Sequence, residues 1–252
     1  MRVAIFSDVH GNLSALEIVL ADIERQAPDL IVFAGDLCLF GPRPAECLRL
    51  VLERQLPSVI GNTDAWLADT SKPPERHPEA VEWTRGQLSA AELARLGRMP
   101  FALRLSPTAS ASDDLLIVHA NPRDWNEIVF PSEAEQIERW GKVRQSDAEL
   151  EPLFGGLEAA VVAYGHLHIP GLRPWRELTL VNVSSVNMPG DGDARAKYAL
   201  LEWRDGRWTA QHIRLSYDTM AESAAFRESR PPRWEEAVAA LEKDGYYYPQ
   251  QI

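Results

Sequence analysis

The first twelve residues constrain this chain more than any other stretch. Val3-Ala4-Ile5-Phe6 is an apolar run too short for a helix, and it delivers Asp8 and His10 before Gly11 and Asn12 break the strand. Leu13, Leu16, Leu20 and Ile23 then recur at helical spacing as far as Pro28, and Ser14-Ala15-Leu16-Glu17 has the form of a capping box. Leu30 to Ala34 is a second buried run, and it ends in Gly35-Asp36. Strand, helix and strand in this order make a βαβ unit, whose right-handed crossover sets two parallel strand ends side by side. Asp36 is therefore expected near Asp8, above strand ends where open α/β sheets bind ligands.

The device recurs along the chain. Gly41-Pro42-Arg43-Pro44 is a stiff loop before a helix over Ala45 to Gln55, and Ser58-Val59-Ile60 reads as a third short strand ending in Gly61-Asn62-Thr63-Asp64. From about 70 to 104 the composition shifts to Pro73, Pro74 and Pro78, followed by a helical pattern through Trp83, Leu88, Leu93 and Leu96, which predicts a helical insert or cap. Leu115 to Val118 ends in His119, and Ala160 to Tyr164 ends in Gly165-His166-Leu167-His168. Between them, 124–155 predicts two short helices starting near Ser132 and Ser146. Leu178 to Val183, and Lys197 to Trp203 joined to Trp208 to Leu215 through Asp205-Gly206, predict a second, mainly antiparallel sheet. Pro231 to Lys243 predicts a final amphipathic helix. Residues 1–252 thus read as one α/β domain.

Charge narrows the partners. The chain carries 26 basic and 37 acidic residues, a formal charge of -11, with no basic block. That argues against an extended nucleic acid and against an anionic membrane surface. Cys38 and Cys47 form no CxxC and read as reduced, partly buried thiols. The N-terminal run has no cationic leader or cleavage site, and no apolar stretch reaches spanning length, so the expectation is a cytoplasmic protein.

Together the strand ends offer Asp8, His10, Asp36, Asn62, His119, His166 and His168. Carboxylate, imidazole and amide donors without thiolate suit Mn, Fe, Zn, Ni or Mg rather than a closed structural zinc site. Seven ligands are too many for one ion. Two ions bridged by one carboxylate, roughly 3.5 to 4 Å apart, would use them all and share a hydroxide.

At these residues the chain resembles the calcineurin-like metallophosphoesterase superfamily, whose pattern is DxH, GD, GN, a lone His and GHxH in that order. GDLCLFGPRP, GNTD and MPGDGDARAKYALLEW resemble linking segments of its small bacterial and archaeal phosphodiesterases. The resemblance implies two packed mixed β-sheets flanked by helices, a four-layer α/β/β/α sandwich. It implies one divalent ion on Asp8, His10, Asp36 and His168 and a second on Asp36, Asn62, His119 and His166, with Mn the first candidate. It implies Asp36, Asn62 and His119 as catalytic residues, and a bridging hydroxide attacking phosphorus in line. The reading is a dinuclear phosphodiesterase acting on small phosphodiesters or nucleotides. A phosphomonoesterase, a protein phosphatase and a catalytically silent scaffold of the same fold are the alternatives, and oligomerisation is left open.

Three departures stand out. Many members carry His after GN where this chain has Thr63, and Thr is no general acid near neutral pH. Ala120 replaces a common Gly, and Val183-Ser184-Ser185-Val186-Asn187 stands for a stretch that often reads NPGSVG, leaving Asn182 and Ser185 as polar candidates. Arg43 is either a charge fixed between two prolines or a fork-shaped donor to substrate phosphate. Thr63 and Asp64 are the other substrate-side candidates, with a capping role for Asp64 as the rival. His77 and His212 read as structural, and Trp83, Trp125 and Trp140 as core residues or as platforms for a nucleobase.

Overall fold

In the computed structural model, which describes residues 1–69, 71 and 77–249, the opening stretch folds as the expected βαβ unit. Strand β1 (Arg2–Phe6) leads through helix α1 (Leu13–Gln26) to β2 (Leu30–Phe33), and the strands pair in parallel with Val3 opposite Leu30. The Asn12 side chain accepts the Ala15 N–H and so starts α1. Helices α2 (Pro44–Glu53), α3 (Asn62–Ala68), α4 (Pro78–Gln87) and α5 (Ala90–Leu96) come next. They are followed by β3 (Ala102–Leu105), β4 (Leu115–Val118), α6 (Glu133–Trp140), the one-turn α7 (Glu151–Phe154) and β5 (Val161–Tyr164). The chain closes with β6 (Gly171–Trp175), β7 (Leu178–Asn182), β8 (Ala196–Arg204), β9 (Arg207–Leu215), α8 (Thr219–Ser229) and α9 (Trp234–Asp244).

Two mixed sheets result, ordered β2-β1-β8-β9 and β3-β4-β5-β7-β6. Their facing is written in the alternation of single strands. Val3 and Ile5 of β1 join Leu115 and Ile117 of β4 and Val161 and Ala163 of β5 in one cluster, which is the interface of the two sheets. Ala4 and Phe6 turn the other way, onto Leu16, Val19, Leu20 and Ile23 of α1. On the far side, Leu116, Val118, Val162 and Tyr164 pack with Leu153 and Phe154 of α7. Helix, sheet, sheet and helix are thus four layers. Strands buried on both faces carry the continuous apolar runs seen in the sequence.

Several expectations are corrected. The later strands form no separate antiparallel sheet: β8 pairs antiparallel with β1, and β7 pairs parallel with β5, so each extends a sheet begun earlier. The hairpin itself is as expected, with Asp205 and Gly206 at φ 51° and 75°, as a type I′ turn requires. Ser58 to Ile60 is no strand beyond a single bridge from Ser58 to Phe33, because the Ile60 N–H leaves the sheet for the Pro100 carbonyl. The helical insert ends earlier than 104, since 102–105 is β3, an antiparallel edge strand on β4. Residues 70 and 72–76 of that insert lie outside the described residues. Strand β6 and helix α8 carried no expectation. Cys38 and Cys47 are free and buried. Among the described residues no helix is long and apolar enough to cross a membrane.

Candidate metal centre

The seven strand-end residues meet at one place. The backbone N–H groups of Val9 and His10 both donate to the Asp36 carbonyl, which clamps the first two strand ends together. The loop after β5 joins them, with the His166 N–H donating to Asp8 Oδ2 at 3.0 Å. Turning the side chains inward takes an uncommon backbone: Asp8, His10, Asp36, His166 and His168 all have φ between 46° and 65°. Non-glycine residues seldom sit in this left-handed region, and clusters of them accompany functional sites.

The four imidazoles share one device. His10 Nδ1 lies 3.1 Å from the Leu39 carbonyl, His119 Nδ1 2.9 Å from that of Ala34, His168 Nδ1 2.6 Å from that of Met188, and His166 Nε2 2.8 Å from that of Asn126. A carbonyl only accepts, so each of these outer nitrogens carries a proton and the opposite nitrogen of each ring faces inward. The inner atoms crowd. His10 Nε2 is 3.4 Å from His168 Nε2, His166 Nδ1 is 3.2 Å from His119 Nε2, and Asn62 Oδ1 is 3.0 Å from His119 Nε2.

The carboxylates lie between. Asp36 turns Oδ2 toward His10 Nε2 at 3.9 Å and Oδ1 toward His119 Nε2 at 3.5 Å, so it faces both halves of the cluster. Asp8 Oδ1 is 3.1 Å from His168 Nε2 and, fully buried, has no hydrogen-bond partner. Within the cluster, Asp8, His10 and His168 form one group of potential ligands and Asp8, Asp36 and His119 another. Burial holds His10 and His166 near pKa 3, helped by the neighbouring His168 and His119 respectively, so both rings are neutral at neutral pH. Burial, reinforced by Asp64 and Asp8, lifts Asp36 to about 7. Burial also pushes Asp8 up, but His168, His119 and His10 outweigh it and hold Asp8 below the usual carboxylate range. Burial opposes protonation of His119 and His168, but Asp36 and Asp8 raise the pKa of His119 and Asp8 raises that of His168, so the inner nitrogens of these two rings attract positive charge, whether a proton or a cation. These residues fit hard or borderline divalent ions.

Asp64 is a structural neighbour of the cluster. Its carboxylate accepts the N–H groups of Asp36 at 2.8 Å, Leu37 at 3.0 Å and Gly61 at 3.1 Å, tying the loops of Asp36 and Asn62 together. The Thr63 N–H donates to Asp36 Oδ1, while its buried hydroxyl oxygen has no partner. The Arg43 guanidinium is engaged elsewhere, at Glu222 (2.5 Å) and Ser14 (2.6 Å). Asn182 donates to the Gly165 carbonyl and accepts from Ser184, so it braces the GHxH turn. The buried Ser185 hydroxyl has no partner. His212 Nε2 lies 2.7 Å from the Asn182 carbonyl, a structural contact. Trp125 packs on Phe101, and Trp140 packs on Phe130 and Arg144. The sequence reading missed Phe40 and Tyr248, whose rings lie 5.8 Å from His10 and 5.7 Å from His168, because neither stands in a motif.

Comparison with known proteins bears on this geometry. The calcineurin-like phosphoesterase superfamily domain matches residues 1–206. The chain belongs to that superfamily. A metallophosphoesterase from Sphaerobacter thermophilus is similar to this phosphoesterase at 29% identity, covering 97% of this chain and 100% of that one with a TM-score of 0.73. A hypothetical protein from Pyrococcus horikoshii OT3 shares the fold at 16% identity, with a TM-score of 0.76 and coverage of 98% and 99%. An uncharacterized protein of Methanocaldococcus jannaschii is 25% identical over 239 residues, 92% of this phosphoesterase and 94% of the relative.

Proposed function

We propose that this phosphoesterase is a cytoplasmic dinuclear-metal phosphodiesterase acting on small phosphodiesters such as nucleotides. One observation carries the reading: four imidazoles, each with its outer nitrogen bound to a backbone carbonyl, turn their inner nitrogens into one cluster with two buried carboxylates. Asp8, His10, Asp36 and His168 would hold one ion and Asp36, Asn62, His119 and His166 the other, a division supported by Asp36 turning one oxygen toward His10 and the other toward His119. When bound, two divalent ions make water nucleophilic near neutral pH and offset charge on phosphoryl oxygens. Mn is the first candidate, with Fe, Ni, Zn and Mg as alternatives. The free, buried thiols of Cys38 and Cys47 suit a reducing compartment.

The chain's own residues give the rest. The carbonyls of Leu39, Ala34, Met188 and Asn126 fix ring orientation and tautomer, so little reorganisation is left for the reaction. Arg43 is committed to Glu222 and is not spent on the second negative charge of a monoester. Thr63, in place of His, supplies no proton to the leaving group, which favours leaving groups that depart as anions. The first feature favours a diester, and the second a substrate with a stable leaving group.

The test is parallel hydrolysis of bis-p-nitrophenyl phosphate and p-nitrophenyl phosphate by metal-stripped protein resupplied with Mn, Ni, Zn or Mg, with Asp36→Asn alongside. Metal-dependent cleavage favouring the diester and lost in Asp36→Asn is expected. Preference for the monoester would move the reading to a phosphomonoesterase. No turnover with metals bound would move it to a silent scaffold.

A further inference from the structure

A cleft beside the metal centre belongs to none of the residues described so far as ligands or braces. Three distant segments build it: the loop after β2 with Phe40, the start of α4 with His77, Glu79 and Trp83, and the C-terminal region with Arg233 and Tyr247. The rest of the lining is mainly proline, and the space is about 160 Å³. Phe40 is a wall shared with the metal centre. Its ring is 5.8 Å from His10 on one side and 5.0 Å, edge to face, from His77 on the other. The next residue after Tyr247, Tyr248, lies edge-on to His168 at 5.7 Å. The cleft therefore starts one ring away from the ligands on the side of His10 and His168.

Its chemistry is aromatic with a charged edge. Phe40, Trp83 and Tyr247 supply rings to the lining, Glu79 accepts hydrogen bonds, and the Arg233 guanidinium, paired with Glu236 at 2.5 Å, adds a charged edge. Rings stack on any planar heterocycle, and an acceptor such as Glu79 takes an N–H from its polar edge. A simple alkyl group would leave that edge unused. We propose that this cleft binds the nucleobase of the phosphoester, with Trp83 and Tyr247 as the residues that set specificity for the organic half of the substrate. The inference rests on the phosphodiesterase reading for the orientation of the ester, while binding of the base itself does not depend on it. Trp125 and Trp140, packed on Phe101 and on Phe130 and Arg144, take no part.

The experiment has two arms on the full chain. In the first, kcat/KM is measured for the p-nitrophenyl ester of AMP and for methyl p-nitrophenyl phosphate, and their ratio is compared across wild type, Trp83→Ala, Tyr247→Ala and Trp140→Ala. The ratio is expected to fall about tenfold in each of the first two variants, as the loss of one stacking face implies, and to hold in Trp140→Ala. In the second, adenosine, which has no phosphate, is titrated calorimetrically into metal-stripped protein; binding is expected in wild type and weakened in Trp83→Ala. An unchanged ratio in both cleft variants, or adenosine binding absent or indifferent to Trp83→Ala, overturns the proposal. If wild type cleaves neither ester, the phosphodiesterase reading fails and the calorimetry alone decides the cleft. If Trp83→Ala does not fold, Tyr247→Ala decides both arms.

Discussion

The Asp64 carboxylate accepts the backbone N–H of Asp36 at 2.8 Å, so a residue outside the cluster fixes a carboxylate that faces both of its halves. The same carboxylate takes the N–H groups of Leu37 and Gly61. Asp64→Ala leaves three buried donors without a charged acceptor and is expected to destabilise the fold by about 3 kcal/mol. Metal affinity should fall by roughly 10- to 100-fold, the usual effect of losing a residue that orients a ligand. Chemical denaturation and metal titration measure the two losses. Unchanged metal affinity would separate Asp64 from the centre.

Close approach makes a second prediction. A Cβ on Gly165 would lie 2.2 Å from Asp8 Oδ2, and one on Gly61 2.0 Å from Asp36 Oδ1. Neither carboxylate can retreat without leaving the cluster. Gly165→Ala and Gly61→Ala are each expected to cost about 2 kcal/mol or more of stability and to abolish stoichiometric metal binding. Elemental analysis of the purified variants, beside thermal melts, checks both.

The small residues before Asp36, Asn62 and His166 were legible as punctuation after strands, and so was the convergence of the seven strand-end residues. Their conformation was not. Asp and His visit a left-handed φ more readily than most residues, but the types of Asp8, His10 and Asp36 alone do not fix it; the fold imposes it through carbonyl and amide partners on other segments. Strand β6 was hidden for a related reason. It holds Pro174 and a buried Arg173, both poor strand signals, yet it is a sheet edge where a missing N–H is harmless, and Asp147 satisfies the arginine. Helix α8 announces itself only through the Asp218 cap, its amphipathic pattern being weak. Arg43 illustrates the limit for function: its residue type suited a phosphate, but its partner Glu222 lies 179 residues away.

That partner sets a pH dependence. Burial raises the pKa of Glu222 above its ordinary value, against the opposing pull of Arg43. A carboxyl whose pKa is higher folded than unfolded contributes stability that is full below the unfolded value and lost as pH rises through the folded one. Wild type should therefore gain stability relative to Glu222→Gln as pH is lowered from 7 toward the ordinary glutamate range. Paired urea melts of the two proteins across that range test the sign, and a difference that shrinks or stays flat on acidification contradicts it.

Burial also governs the thiols. Cys38 and Cys47 are fully buried, and burial pushes both pKa values well above the ordinary range, with Asp64 adding to the first and Glu222 to the second. The thiolate is the reactive form. Neither thiol should react with Ellman's reagent in the folded protein at pH 8, and both should react in denaturant. Rapid native labelling would show that the segment from β2 to α2 opens easily.

The proposed centre links metal to stability. The inner nitrogens of His10, His119 and His168 lie 3.1 to 3.9 Å from carboxylate oxygens of Asp8 or Asp36, and those of His10 and His168 and of His119 and His166 lie 3.4 and 3.2 Å apart, a set of electron-rich atoms that positive charge between them stabilises. An ion that binds only the folded state adds about 2.7 kcal/mol at a free concentration 100 times its Kd. Chelation should therefore lower the thermal midpoint, and readdition of Mn should restore it in proportion to the logarithm of free metal. Asp36→Asn removes the carboxylate that faces both halves. Its thermal midpoint should respond to metal much less than that of wild type, because neither half keeps its full charge. An equal response in both proteins would place the ion elsewhere and remove the bridging role from Asp36. A response in wild type alone, whatever the turnover, would place Asp36 at the ion's site independently of any substrate.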